Sequence, residues 1–502
     1  MENSFKDFIK VKKHFQLGEL VTETPHPLTE NLSQNSKKNL KLAIKQFKSV
    51  DELALEEFKL YLGTLQELHK NVRETILSGH KVFLCGCGAT GRLSLALEFI
   101  WRQENKNEFK DSICSFMAGG DVALIKSIEK FEDYPEYGAK QLEELNFSEN
   151  DLLISITEGG ETPFVIGATQ KALEISKKSP YFVYCNPDNI LKKLVLRSRE
   201  ILENNRIKKI NLTIGPMAIS GSTRLQASTV QMLGVGLVLK NFNSDFQDIY
   251  EDFELFKEDF KNLKTDELDY FIKKEVQVYN KNEFIIYNSC KKSSISVLTD
   301  TTERSPTFSL IPFESSHENL MSLSYLVIKG ENEKLNSWKT LLGRNPRTLE
   351  WSEVSGIACL NKAMEYDFSE NSIQRRVEMG KQHIFDVSVE DECIKFAFHG
   401  KQVDFKTNSH FLGQQLLLKI LLNTHSSLVM GRLGRYESNV MTWVRPSNYK
   451  LIDRSIRYIL TLASQSGIEL DYDQVCEILY SEMSKGPEGP IVMKCLKRLN
   501  CA

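Results

Sequence analysis

Three short stretches carry the residue types that grip an anion by its oxygens. The first is Gly86-Cys87-Gly88-Ala89-Thr90-Gly91-Arg92. Gly86, Gly88 and Gly91 let the main chain approach an oxyanion closely on either side of Ala89, and Thr90 sets a hydroxyl beside a positive helix end. The second offers Thr157, Gly159, Gly160 and Thr162 just before Pro163, a favourable first residue for a helix. The third, Gly215 to Arg224, gathers Ser220, Ser222 and Thr223 ahead of the cation Arg224. The first spacing is also G-x-G-x-x-G, the pattern of dinucleotide turns, and a tight βα turn without ligand accounts for it as well. A dinucleotide needs one phosphate turn. Three in succession suit a small phosphorylated ligand with many hydroxyls, a sugar phosphate rather than NAD. Ser or Thr capping of helices is the structural alternative for the hydroxyls.

Such turns need strands ending at them and helices starting there. The period of apolar residues supplies both. A helical pattern over Ser33–Ser78 stops at Gly79, and a compact strand, Lys81–Cys85, runs into the first turn. Strands at 113–118, 151–156, 181–185 and 207–214 then alternate with helices at 90–103, 137–145, from 162 and at 225–239. That alternation argues for a doubly wound parallel sheet. A charged helical connector, 245–274, leads to a second series with strands at 283–287, 325–329 and 383–389 and the apolar helix Phe411–Leu428. From Asn448 onward the pattern is all helical. The expected organisation is an N-terminal arm and helix (1–50), a first α/β domain bearing the loops (51–244), a connector with a second, diverged copy (245–446), and a helical lid (447–502).

The chain has 502 residues, of which 41% are hydrophobic and 26% charged, as in a well-cored globular protein. Its net charge of −3 gives no positive field for nucleic acid. The longest apolar stretches, such as Val230–Leu239, fall short of the ~20 residues of a membrane span. The first residues lack the pattern of a signal peptide. Ten cysteines without a C-x-x-C and nine histidines without H-x-x-x-H suit a reduced, cytoplasmic chain with no metal site. No cofactor is expected either.

Taken together the stretches resemble the sugar isomerase (SIS) domain, in the branch of N-acetylmuramic acid 6-phosphate etherase and the glucokinase regulatory protein. Leu20–Leu32 resembles that branch's T-E-x-x-N-P-x-T segment, Gly86–Arg92 its G-x-G-T-S-G-R, Ala118–Asp121 its A-G-G-D/E, and Gly215–Arg224 its G-P-E-x-x-x-G-S-S-R. The closing helices from Ser447-Asn448-Tyr449-Lys450 are similar to its last helical segment. Nearly the whole chain is covered, and the apparent second copy is like the regulator, since the etherase has one copy per chain and dimerises.

The resemblance also assigns residues. Asp300-Thr-Thr-Glu303-Arg304 matches the etherase's D-A-S-E-C, so Glu303 stands at one of its two catalytic acids. Glu132, in the charged run Glu129–Tyr134, stands at the other. The first turn of the second copy, Asn288–Ser294, has no glycine and cannot make the same cradle. One composite site per chain follows, with Glu303 and Lys450 reaching in from the second half. Met217, Gln226 and Met232 depart from the etherase pattern, as do Glu158 and Glu161. Those two acids must point away from a phosphate or the ligand must be less anionic. On residues alone Glu132 reads as a solvated face, Glu303 as an ion pair with Arg304, and His80 as a turn residue. The main expectation is a regulator that senses a phosphorylated hexose or amino sugar, a sugar kinase being the partner it implies. The alternatives are an etherase-like lyase using Glu132 and Glu303, and an aldose–ketose isomerase with Glu132 or His80 as base. A monomer with an internal pseudo-dimer is expected.

Overall fold

The computed structural model describes residues 5–501 except 13, 14, 16, 107, 127, 129, 130, 355, 447, 487 and 488. Glu129 and Ser447, from two segments singled out above, therefore lie outside the described residues. Helix α1 (Leu40–Lys59) starts at Asn39, whose side chain accepts from the Leu42 N–H at 3.3 Å, a cap for one free amide. Its buried Ala43, Ile44, Phe47, Val50, Ala54, Leu55 and Phe58 form one apolar stripe. Helix α2 (Gln66–Leu77) stops before Gly79, whose φ of +78° is the left-handed conformation glycine takes most easily.

Five parallel strands make the first sheet: β1 (Val82–Gly86), β2 (Ile113–Met117), β3 (Leu152–Ile156), β4 (Tyr181–Tyr184) and β5 (Lys208–Asn211), in the order β2-β1-β3-β4-β5. Every residue of β1, β2 and β3 is buried, because helices cover both faces of such a sheet. The covering helices include α3 (Ala89–Glu104), α4 (Pro135–Glu144), α5 (Pro163–Ile175) and α6 (Gln226–Lys240). The winding reverses between β1 and β3. Their carboxyl ends carry the first two glycine turns, at the switch point where a doubly wound sheet leaves its crevice.

The second half holds α7 (Leu268–Tyr279), β6 (Phe284–Ser289), α8 (Ser294–Phe308), β7 (Ser324–Ile328), α9 (Lys334–Leu342), β8 (Gln382–Glu390), β9 (Cys393–Phe398), β10 (Lys401–Lys406) and α10 (Phe411–Arg432). Strand β6 pairs in parallel with β7 and β8, which keeps the doubly wound core. Beyond it β8, β9 and β10 form an antiparallel meander that the sequence reading left out. Strand β8 alternates buried Phe385, Val387 and Val389 with exposed Ile384, Asp386 and Glu390, the mark of a sheet with one wet face. Helix α10 is buried from Leu412 to Gly431 and lies between the halves, packed on α6, α7 and α8.

Two connections tie the halves together. A strap, residues 343–358, leaves α9 and crosses the first half. Its Arg344 donates to Asp121 at 2.6 Å and Arg347 to Glu98 at 2.7 Å. Leu349, Trp351, Val354 and Ala358 bury among Phe131, Leu142 and Phe164. The closing helices α11 (Tyr449–Gln465), α12 (Tyr472–Met483) and α13 (Ile491–Arg498) pack on one another. Arg454 and Arg457 of α11 grip Glu23 of the N-terminal arm at 2.6 and 3.1 Å. Among the described residues no helix is long and apolar enough to cross a membrane, and no group of three or more His, Cys, Asp or Glu is placed to hold a metal ion.

Candidate functional site

The turn after β1 is shaped by backbone contact. A Cβ on Gly86 would lie 2.4 Å from the Thr90 carbonyl, so only glycine lets the chain fold back that tightly. Gly88, at φ +55° and ψ −121°, is the residue before α3 and has open space beside it. Among the first amides of α3, Thr90 donates to the Cys87 carbonyl at 3.1 Å and Arg92 to the Gly88 carbonyl at 3.0 Å, which leaves those of Ala89 and Gly91 at the positive end of the helix dipole. Thr90 is spent on the turn itself: its hydroxyl donates to the Cys87 carbonyl at 2.9 Å and accepts from the Cys87 N–H at 3.0 Å. That is the local capping role, and it takes Thr90 out of the lining.

The three turns meet at one cavity of about 390 Å³. Gly88, Ala89, Gly159, Thr162, Ser222, Thr223 and Arg224 line it, together with Glu132, Glu303 and Lys450. Gly86, Thr90, Gly91, Thr157, Gly160 and Ser220 stand behind the lining. Thr157 and Thr162 share a hydrogen bond of 3.0 Å, and the Ser220 hydroxyl donates to the Glu23 carbonyl at 2.6 Å. The Ser222 hydroxyl is buried without a protein partner. His80 is absent from the lining and sits in the turn after α2. Arg224 donates to Asp300 at 3.1 Å and to Ser427 at 3.0 Å, so its guanidinium is tied to the second half.

The two glutamates come from different halves and reach the same space. Glu303, on α8, is 4% exposed. Arg304 turns the other way, to Glu275 and Asp300 at 2.8 and 2.9 Å, so the two neighbours are not an ion pair. Burial raises the Glu303 carboxyl above its usual range, against the pull of Arg92, Arg224 and Lys419. Glu132 is half-buried in the turn before α4, with the Cys87 thiol 3.8 Å away. Burial raises it too, opposed by Lys450 and reinforced by Glu161 and Asp133.

Glu158 and Glu161 also line the cavity instead of pointing away. The two are accommodated in different ways. Burial pushes Glu161 up, but ion pairs with Lys450 and Arg197 overcome it and hold the carboxyl at about 2. Glu158 has no such partner, and burial with Glu303 nearby lifts it to about 7. Its Oε1 is buried and unbonded. Of the two alternatives expected from sequence, acids that point away or a less anionic ligand, the position of both acids on the lining does not fit the first. Lys419 on α10 was not anticipated either. It donates to the Arg224 and Leu225 carbonyls at 2.9 and 3.2 Å, and burial lowers it to about 8. Nothing in a run of leucines marks that lysine beforehand.

A parallel sheet whose switch-point turns are bare main chain defines a doubly wound α/β binding domain. Residues 63–173 match the family described as the glucokinase regulatory protein N-terminal SIS domain. The N-acetylmuramic acid 6-phosphate etherase of Salmonella typhi is 30% identical over 235 residues, 47% of this chain and 74% of that protein. The one from Clostridium botulinum (strain Okra / Type B1) is 29% identical over 234 residues, 45% of this chain and 72% of that protein. Among solved structures, the tagatose-6-phosphate ketose/aldose isomerase of Escherichia coli covers 83% of this chain and 97% of its own at 9% identity, with a TM-score of 0.45. The chain belongs to the SIS-domain superfamily, in the branch of N-acetylmuramic acid 6-phosphate etherase and the glucokinase regulatory protein.

Proposed function

We propose that the cavity binds a phosphorylated amino sugar and that Glu132 and Glu303 move protons on it in an etherase-type elimination. The observation that carries this is their convergence: a buried and a half-buried carboxyl, from different halves of the chain and both raised, line one cavity. A site built only to hold a sugar gains nothing from such a pair, whereas acid–base work needs one carboxylate to take a proton and one carboxylic acid to give one. In the reaction one glutamate takes the C2 proton and the other protonates the lactyl oxygen as the C3–O bond breaks. Water then adds to the unsaturated aldehyde. The phosphate is held by the amides of the first turn and the Ser222 and Thr223 hydroxyls. Lys450 orients Glu161 and Glu132. Gln226, one of the departures from the etherase pattern, serves the interior: it accepts from the Ala218 N–H at 2.9 Å and donates to Asp51 at 2.7 Å.

The second reading is a sensor without turnover, like the regulator. The observation that favours it is Arg224, whose guanidinium is held by Asp300 across the halves. Sugar binding would then be read by the fit of the halves, and a sugar kinase is the partner this reading implies. Incubation with N-acetylmuramic acid 6-phosphate separates the two. Release of D-lactate that falls by about 10²-fold or more in Glu303→Gln and in Glu132→Gln supports the lyase. No release, with thermal stabilisation by fructose 6-phosphate, supports the sensor.

A further inference from the structure

A second cleft lies away from the cavity, between the carboxyl end of α3 and the second half. Its volume is about 540 Å³, and Arg102, Lys106, Lys110, Lys291, Lys339 and Arg344 supply all its charged lining. The two arginines are neutralised by neighbours behind the wall. Arg102 pairs with Glu98 and Asp111 at 3.0 and 2.7 Å, and Arg344 with Glu98 and Asp121 at 3.2 and 2.6 Å. The ammonium groups of the four lysines make no ion pair or hydrogen bond among the described residues; the Lys291 main chain does, its carbonyl accepting from the Ser294 hydroxyl at 3.0 Å.

Helix dipoles explain part of this. Lys106 and Lys110 follow the carboxyl end of α3, and Lys339 lies in the last turn of α9, both places that favour cations. Lys291 is different. It stands three residues before the amino end of α8, where the dipole disfavours a cation. It also occupies the βα turn that corresponds to the glycine turn of the first half. There the chain has exchanged bare amides for an ammonium group, aimed into a cleft where three more ammonium groups already repel it.

We propose that this cleft is a binding site for a compact polyphosphate, two or more phosphate groups carried close together. Four lysines with unpaired ammonium groups, two on the segment after α3, one on α9 and one in a turn, match a dense, multiply charged anion, each able to donate a charge-assisted hydrogen bond to it. Among the described residues the remaining lining is Gln103, Thr340, Gly343 and Asn345, with no aromatic or aliphatic side chain to stack a base or seat an acyl chain. The recognised part is therefore the phosphate chain. The anion would join α3 to the second half, at the opposite end of the helix whose start borders the sugar cavity. The inference stands apart from the proposed chemistry of that cavity.

Calorimetric titration of the full chain with tripolyphosphate at 150 mM salt tests it, with ATP as a second arm. One saturable site is expected, with ATP binding within about threefold of tripolyphosphate if the phosphate chain is what is read. Lys291→Glu with Lys339→Glu should weaken it at least tenfold. Lys38→Glu with Lys45→Glu, an equal change of net charge elsewhere, should leave it within twofold. Absence of a saturable heat, equal losses in the two double variants, or displacement of tripolyphosphate by glucose 6-phosphate would each overturn the proposal. In the last case the anion sits in the sugar cavity. Much tighter binding of ATP would overturn the claim that the chain of phosphates is recognised alone.

Discussion

The turn from β1 to α3 and the turn from β6 to α8 hold the same place in the two halves and are built in opposite ways. In the first, glycine removes the side chains, and Gly88 opens onto empty space. In the second, side chains fill that space. The Ser289 and Ser293 hydroxyls share a hydrogen bond of 2.7 Å, and Ser293 also donates to the Val387 carbonyl at 2.9 Å. One turn is open beside Gly88, and the other is filled by its own hydroxyls. The lesson is that duplication of a fold does not duplicate a site, because the site depends on atoms being absent.

The sharpest way to break that contrast is to put a side chain into the first turn. Gly86→Val would place atoms against the Thr90 carbonyl, 2.4 Å from where its Cβ must lie. Backbone on both sides cannot yield, so a loss of about 4 kcal/mol or more is expected, at the diagnostic end of single substitutions. The measurement is a denaturant midpoint, or soluble yield if the variant fails to fold. A wild-type midpoint would mean that the turn has slack.

This contrast was partly legible in advance. Strands buried on both faces announce themselves as apolar runs, and the missing glycines of Asn288–Ser294 are visible by eye. Strands β9 and β10 were not, because a six-residue edge strand such as Lys401–Lys406 mixes Lys, Gln and Asp with two apolar residues and resembles a loop. The gathering of Glu132 and Glu303 came from resemblance to a family. Their charged company did not, since the partner that pairs with Glu161 lies 289 residues away. Local pattern carries elements; only the fold carries electrostatic neighbours.

Within the first half, loop two offers a smaller contrast between two acids three residues apart. Glu158 sits at about 7 folded against an ordinary 4.5. A raised carboxyl contributes stability that is fully present below pH 4.5 and lost as pH rises to about 7. Glu161 is lowered from 4.5 to about 2, so its contribution is present above pH 4.5 and lost as pH falls toward 2. Each shift corresponds to about 3 kcal/mol at most. Glu158→Gln should therefore gain on wild type from pH 5 to pH 8, and Glu161→Gln should be weakest relative to wild type near pH 7. Urea midpoints from pH 5 to 8 decide it for Glu158→Gln, and from pH 7 down to pH 3 for Glu161→Gln, whose deficit should shrink as pH falls below 4.5. Parallel curves for wild type and Glu158→Gln would show that the carboxyl titrates normally.

The second turn permits a milder test. Ser293→Ala removes the buried hydroxyl that bonds Ser289 and the Val387 carbonyl, leaving the Val387 carbonyl only the longer 3.4 Å bond from the Cys290 N–H. A loss of about 1–3 kcal/mol is expected, with no change in sugar-phosphate binding, because the turn is distant in role from the cavity. Thermal melts and a ligand titration on one sample measure both. A variant that melts normally but loses the ligand would mean that the second turn takes part in the site.

The smallest expected effect is the most informative about why the second turn is closed. Asn288 donates to Asp386 at 2.7 Å from an exposed position at the end of β6. Exposed polar contacts of this kind contribute little, so Asn288→Ala should shift stability by no more than about 0.5 kcal/mol. If that holds while Ser293→Ala costs several times more, the closure belongs to the buried hydroxyls and the rim is free to vary. If Asn288→Ala costs as much as Ser293→Ala, the turn is held from its rim. The self-filled interior would then not be what distinguishes it from the glycine turn.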